Sequence, residues 1–215
     1  MRAEIKFCGM TRGVDAEMGA KLGAAYVGVI FAGGPRSISV EQAATVLARV
    51  PATVGRVGVF DSTDADHVVN VARTLTLAAV QLHGGSNDST IDSIRASFEG
   101  EIWAVLRLAN GEVGSDAAAL FDVADAVVLD AHVRGRLGGT GVTLPWEQLV
   151  DQLGPLRGRR ARLVLAGGLK AENVGRAIEL LRPDVVDVSS GVETAPGIKD
   201  HARMRAFRDA VRDDT

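Results

Sequence analysis

Ile5-Lys6-Phe7-Cys8-Gly9-Met10-Thr11 is the stretch that sets the plan of this chain. A short apolar run ends, glycine and polar residues follow at once, and a helix-favouring segment comes next, from Ala16 to Leu22. The same layout recurs seven more times. Runs rich in β-branched residues predict strands at Glu4–Phe7, Tyr26–Phe31, Arg56–Phe60, Ala79–Leu82, Ile102–Leu106, Ala126–Leu129, Arg162–Leu165 and Val185–Val188. They are nearly continuous in apolar residues rather than alternating, as expected of strands covered on both faces. Between them, helical patterns fall at Val14–Leu22, Val40–Ala48, Ala65–Leu75, Thr90–Ser97, Asp116–Phe121, Trp146–Leu153, Asn173–Leu181 and His201–Val211. Ser39 and the Ser62/Thr63 pair are start signals, and Pro183 stops the seventh helix.

Eight such units share 215 residues, about 27 each, which is compact for a single (β/α)8 barrel of the TIM type but sufficient. An open doubly wound sheet would normally have fewer strands and a glycine fingerprint after the first, and Cys8-Gly9-Met10-Thr11 supplies no G-x-G-x-x-G. No linker or low-complexity tract divides the chain, so residues 1–215 are read as one catalytic domain. The longest irregular stretch, Ala131 to Leu144, contains Gly135, Gly138, Gly139 and Gly141 and is read as either a mobile lid or a plain surface loop.

Composition excludes several classes of partner. A net charge of −3 gives no basic field for nucleic acid or an anionic membrane. The cluster Arg157, Arg159, Arg160 and Arg162 is read as a solvated approach to a strand. One cysteine rules out an internal disulfide framework. The most apolar window, Ala24 to Gly34, falls short of the roughly 18 residues a membrane helix needs, and Ile5–Phe7 is too short for a secretory core. A cytoplasmic protein, a monomer or a weak homodimer, is the expectation.

In a barrel, chemistry is sought at the carboxyl ends of the strands. Cys8 ends the first; by itself such a residue is either inert and buried or a base or nucleophile, and its position leaves both readings open. Arg36, in Gly33-Gly34-Pro35-Arg36-Ser37, either offers a planar fork to a carboxylate or phosphate or pairs elsewhere. His83 at the fourth exit is an acid/base group or a structural histidine. Asp130 follows three apolar residues at the sixth, where desolvation should raise its pKa and suit it to give a proton. Gly167 and Gly168 after strand seven, with Ser189, Ser190 and Gly191 after strand eight, have the make-up of a barrel phosphate cradle. Asp187, two residues before Ser189, is expected to face the mouth. No His, Cys or Asp cluster has metal-ligand spacing, and there is no nucleotide fingerprint, so neither a metal nor an organic cofactor is expected. The direct reading is acid/base chemistry on a small phosphorylated substrate.

Lys6-Phe7-Cys8-Gly9-Met10-Thr11, Gly34-Pro35-Arg36-Ser37, Gln81-Leu82-His83-Gly84, Val128-Leu129-Asp130, Gly138-Gly139-Thr140-Gly141, Ala166-Gly167-Gly168-Leu169, Asp187 to Glu193 and Pro196 to Asp200 occur in that order. The chain thereby resembles the phosphoribosylanthranilate isomerases of tryptophan biosynthesis over essentially its whole length. That resemblance implies an Amadori rearrangement of N-(5′-phosphoribosyl)anthranilate to 1-(2-carboxyphenylamino)-1-deoxyribulose 5-phosphate. It implies Asp130 as general acid and Cys8 as thiolate base; a thiol is a usable base there if the site shifts its pKa modestly downward. Arg36 would hold the anthranilate carboxylate, and Gly168, Ser190 and Gly191 the phosphate. A ring-closing, decarboxylating lyase would need a catalytic lysine in the mouth, and Lys6 and Lys170 stand at no convincing strand exit.

Overall fold

The computed structural model describes residues 3–84, 86–108, 111–114, 117–131 and 144–213. Eight parallel strands close on themselves in sequence order: β1 (Glu4–Phe7), β2 (Tyr26–Ile30), β3 (Gly55–Phe60), β4 (Ala79–Leu82), β5 (Glu101–Leu108), β6 (Ala126–Ala131), β7 (Arg162–Leu165) and β8 (Val185–Val188). The ring shuts where β1 pairs with β8, Lys6 opposite Asp187 and Phe7 opposite Val188. Helices follow the strands: α1 (Gly13–Lys21), α2 (Val40–Leu47), α3 (Ala65–Thr74), α4 (Asp88–Arg95), α5 (Ala117–Val123), α6 (Trp146–Leu153), α7 (Ala171–Leu181) and α8 (His201–Asp213). The chain is a single (β/α)8 barrel. The expected lid lies outside the described residues.

Helix boundaries shift where a side chain supplies a cap. Ser39 accepts from the Gln42 N–H while the Gln42 side chain accepts from the Ser39 N–H, so α2 begins as expected. For α3 the cap is Asp64 rather than the Ser62/Thr63 pair; its carboxylate accepts from the His67 N–H, and the Ser62 hydroxyl accepts from the N–H of Asp64. α4 starts earlier than Thr90 because the Asn87 side chain accepts from the Thr90 N–H. α7 starts two residues before Asn173, whose side chain reaches back to the Lys170 N–H. A hairpin of β9 (Glu193–Ala195) and β10 (Ile198–Lys199) was not anticipated. Strands this short leave no periodic signal in a sequence.

Period-two alternation sorts the strand residues into two cores. Ile5, Phe7, Val27, Val29, Leu82 and Val186 pack outward against the helices. Val57, Ala79, Trp103, Ala126, Val164 and Val185 fill the barrel interior. At the amino-terminal end, the ring of Tyr26 meets that of Trp103 edge-on at 4.9 Å, and Arg162 lies over both while bonding Glu101 and Glu4. The other members of the basic cluster are spent inside the chain as well: Arg157 on carbonyls at the end of α7, Arg159 on Asp122 and Arg160 on Asp125. Burial of each Val, Leu or Phe contributes about 1.5–3 kcal/mol, offset largely by chain entropy. What remains polar inside the ring therefore has to be satisfied or used.

Candidate active site

At the carboxyl ends of the strands the barrel opens into a cavity that is continuous with solvent. Cys8, Arg36, His83, Asp130, Gly167, Gly168, Asp187, Ser189 and Ser190 all line it. Gly191 does not. An added Cβ on Gly191 would lie 1.9 Å from the Leu169 carbonyl oxygen, so its lack of a side chain lets the β7 and β8 loops press together.

β1 builds the base of the cavity. Lys6 and Cys8 are two residues apart, so both point inward while Phe7 points to the helices. Lys6 is fully buried, and its ammonium donates to Asp187 Oδ2 at 2.7 Å and to Gln81 Oε1 at 3.0 Å. The parallel register that sets Lys6 opposite Asp187 makes that ion pair possible. Burial pulls the lysine toward neutrality, but Asp187 and Cys8 outweigh it and hold its pKa above the ordinary value. On β2 the neighbouring position is Gly28; a Cβ there would fall 2.9 Å from the Cys8 sulfur and 3.3 Å from Lys6 Cε. Only glycine leaves room for both side chains.

The Cys8 thiol does not behave as the sequence suggested. Burial pushes its pKa up, with Asp187 adding to the rise, and the nearby charges of Lys6 and Lys199 offset only part of it. Full desolvation thus overrides the expected modest downward shift. The result is a scarce thiolate that is a strong base when it forms.

Arg36 arrives from the β2 loop already held. Its Nε and Nη2 donate to the Glu193 carboxylate at 2.7–3.1 Å. Glu193 also receives the buried Lys199 ammonium at 2.8 Å, and Lys199 donates to the backbone carbonyl of Cys8 at 2.5 Å. Burial opposes the charge on Glu193, yet Arg36 and Lys199 keep its pKa below the usual carboxylate range. A guanidinium has two bidentate edges. Glu193 occupies the side edge of Arg36, and the end edge, Nη1 with the outer hydrogen of Nη2, is the one left for a ligand. Gly9 makes the approach possible, since a Cβ there would meet Arg36 Cδ at 2.7 Å.

Asp130 stands three strands from β1 around the ring, 9% exposed, beside Arg107 in the β5–β6 register. His83 lines the cavity from the exit of β4, on the other side of the ring. Its ring Nδ1 is buried with no hydrogen-bond partner among the described residues, and burial together with the charges of Arg107 and Lys6 brings its pKa down to about 4. The ring is therefore neutral at physiological pH and acts as a donor or acceptor rather than a proton carrier. In a proton NMR titration, the His83 ring resonances are expected to stay fixed between pH 6 and 8 and to move near pH 4. A midpoint near 6.5, the ordinary histidine value, would mean the ring is solvated.

The profile of the family described as N-(5′phosphoribosyl)anthranilate (PRA) isomerase matches residues 5–210 of this chain. The chain belongs to the N-(5′-phosphoribosyl)anthranilate isomerase family. It is 37% identical over 209 residues to the N-(5′-phosphoribosyl)anthranilate isomerase of Pseudomonas aeruginosa, covering 97% of this chain and 94% of that protein. The crystal structure of phosphoribosyl anthranilate isomerase from Thermotoga maritima superposes with a TM-score of 0.87 at 33% identity, covering 98% of this chain and 99% of that one. A second structure of the enzyme, in complex with reduced 1-(o-carboxyphenylamino)-1-deoxyribulose 5-phosphate, gives a TM-score of 0.83 at 32% identity over 98% and 99% of the two chains.

Glu193 and Lys199 shape this isomerase-family cavity and escaped the sequence reading, while Lys6 was weighed only as a catalytic lysine and set aside. For Lys6 a signal existed, because a lysine alternating with a cysteine inside an apolar strand must share its face. For Glu193 and Lys199 there was none, since their partners lie in distant parts of the chain. Among the described residues, no group of three His, Cys, Asp or Glu side chains is placed to hold a metal ion. None of their helices is long and apolar enough to cross a membrane.

Proposed function

We propose that this chain carries out the isomerisation of N-(5′-phosphoribosyl)anthranilate with Asp130 as general acid and Cys8 as general base. The observation that carries the reading is the placement of an acid and a thiol on opposite arcs of one cavity whose rim is the glycine- and serine-rich pair of loops after β7 and β8. Those loops would anchor the phosphate through Gly167, Gly168, Ser189 and Ser190, leaving Gly191 to let them pack together. With the phosphate fixed, the ribose spans the mouth. Asp130 protonates the ring oxygen and the furanose opens to a protonated Schiff base. The adjacent cation acidifies the C2′ proton, which the Cys8 thiolate removes. The enolamine then passes to the ketone, with each acid/base group contributing about 10²–10⁴-fold. Asp187 stays ion-paired beneath, and the neutral His83 ring is placed to hydrogen-bond the sugar. The reaction needs no cofactor in this scheme. Large apolar side chains exposed among the described residues are single and scattered (Val14, Val150 and Ile198), which supports a monomer or a weak homodimer; the family's biosynthetic role supports a cytoplasmic location.

Arg36 would hold the anthranilate carboxylate by its end edge. Arg36→Ala is accordingly expected to raise KM about 10- to 100-fold, the value of one or two charge-assisted hydrogen bonds, with kcat much less affected. Following the loss of substrate fluorescence at varied substrate concentration checks this. An unchanged KM would remove the clamp. The proposal as a whole is tested by offering the purified chain N-(5′-phosphoribosyl)anthranilate and identifying the product by mass and by its ketose chemistry; no turnover would reject it.

A further inference from the structure

Burying a lysine completely under an enzyme cavity is costly unless its charge has a use. Lys6 is among the largest fully buried side chains of the described residues, and nothing in the reaction scheme above requires it. Its ammonium is held from two sides, by Asp187 on β8 and Gln81 on β4. Lys6 Cε and the Cys8 sulfur border the same gap that Gly28 leaves on β2, 3.3 and 2.9 Å from where a Cβ would stand. The charge of Lys6 acts on that sulfur and favours its thiolate form. Meanwhile Asp187 keeps one oxygen, Oδ1, buried and without a hydrogen-bond partner, although it lines the cavity. A carboxylate satisfied on one oxygen only is an incomplete partner for the lysine.

We propose that Lys6 is the positioning residue for the base: it presents its ammonium to the Cys8 sulfur and balances the charge of the thiolate, while Asp187 draws part of that ammonium away. The inference rests on the reading of Cys8 as the base, and it deepens it. When Cys8 is a thiol, Lys6 is committed to Asp187. When the sulfur loses its proton, the ammonium lies between two anions and shields each from the other. The other charges around the sulfur are the Lys199 ammonium, bonded to the Cys8 carbonyl and neutralised by Glu193, and Arg36, held by the same Glu193. His83 is neutral above its pKa of about 4, and Asp130 stands across the mouth. Lys6 alone among these cations shares the Gly28 gap with the sulfur and is charge-balanced by a carboxylate that also lines the cavity.

The assignment predicts opposed effects from two neighbouring substitutions, which a merely structural pair would not give. In the full chain, the rate of Cys8 alkylation by iodoacetamide is measured against pH, with far-ultraviolet circular dichroism and a thermal melt as folding controls. Lys6→Met is expected to move the alkylation midpoint up, lowering the rate at a fixed pH below it by tenfold or more. Asp187→Asn is expected to move the midpoint down and raise that rate. Lys6→Met/Asp187→Asn, which buries no unpaired charge, should lie above Asp187→Asn alone and keeps the test open if Lys6→Met fails to fold. The proposal is overturned if Asp187→Asn shifts the midpoint upward, or if removing Lys6 in either background leaves it in place. Isomerase turnover is followed separately. A fully active Cys8→Ala would remove the base while these alkylation shifts still decide what Lys6 does to the sulfur.

Discussion

Cys8→Ala is expected to lose isomerisation by about 10²–10⁴-fold while the barrel stays folded. The loss follows from where the sulfur sits. It lines the cavity from the end of β1, next to Lys6 and across from Asp130, and the described residues offer no second thiol to replace it. The fold should tolerate the change, because the Cys8 N–H bond to the Val188 carbonyl and the Lys199 bond to the Cys8 carbonyl are backbone contacts that alanine keeps. The sulfur's apolar neighbours are the small mouth cluster of Ala32, Val59 and Ile30. A truncation of that size at the edge of a cavity costs about 1 kcal/mol or less, a small part of the stability of such a domain. Single-turnover decay of substrate fluorescence measures the loss. Wild-type turnover in the variant would mean that some other group takes the C2′ proton.

Asp130→Asn should be comparably severe, and for a different bond. An amide of the same shape keeps the packing beside Arg107 but cannot deliver a proton to the ring oxygen. The deficit is expected in kcat, again about 10²–10⁴-fold, with KM little changed, since the ground-state contacts survive. A variant whose whole loss appears in KM would make Asp130 a binding residue. Because Cys8 and Asp130 act on different steps, the double variant should lose little more than the worse single one if one step limits turnover.

Much of this was legible beforehand, for reasons that differ by residue. The eight runs declared themselves because strands covered on both faces are apolar throughout, and the cradle because glycines at Gly167 and Gly168 take positive φ (86° and 66°) in consecutive turns. Cys8 and Asp130 were found by position, at the ends of apolar runs. Lys6 was set aside as standing at no strand exit, which is true of it, yet it acts from one residue pair deeper in the ring. The direction of the Cys8 shift was misjudged because sequence gives neighbours but not burial, and burial dominates there. Glu193 and Lys199 were quoted within motifs without a role. Their bonds to Arg36 and Cys8 span 157 and 191 residues, and no local pattern encodes a contact of that range.

Those spans bear on how the molecule is made. β1 is hydrogen-bonded on one side to β2 and on the other to β8, and the Lys6–Asp187 pair closes a loop of 181 residues. During synthesis the first strand therefore emerges with one edge bare and keeps it so until nearly the whole chain has left the ribosome. Closing so long a loop adds little to the final free energy, because its entropy grows only with the logarithm of length, but it comes late. The sulfur, the Asp187 carboxylate and the hairpin whose Lys199 holds the Cys8 carbonyl come together only in that last step, so a nascent or truncated chain is expected to be catalytically silent even when most of its helices have formed.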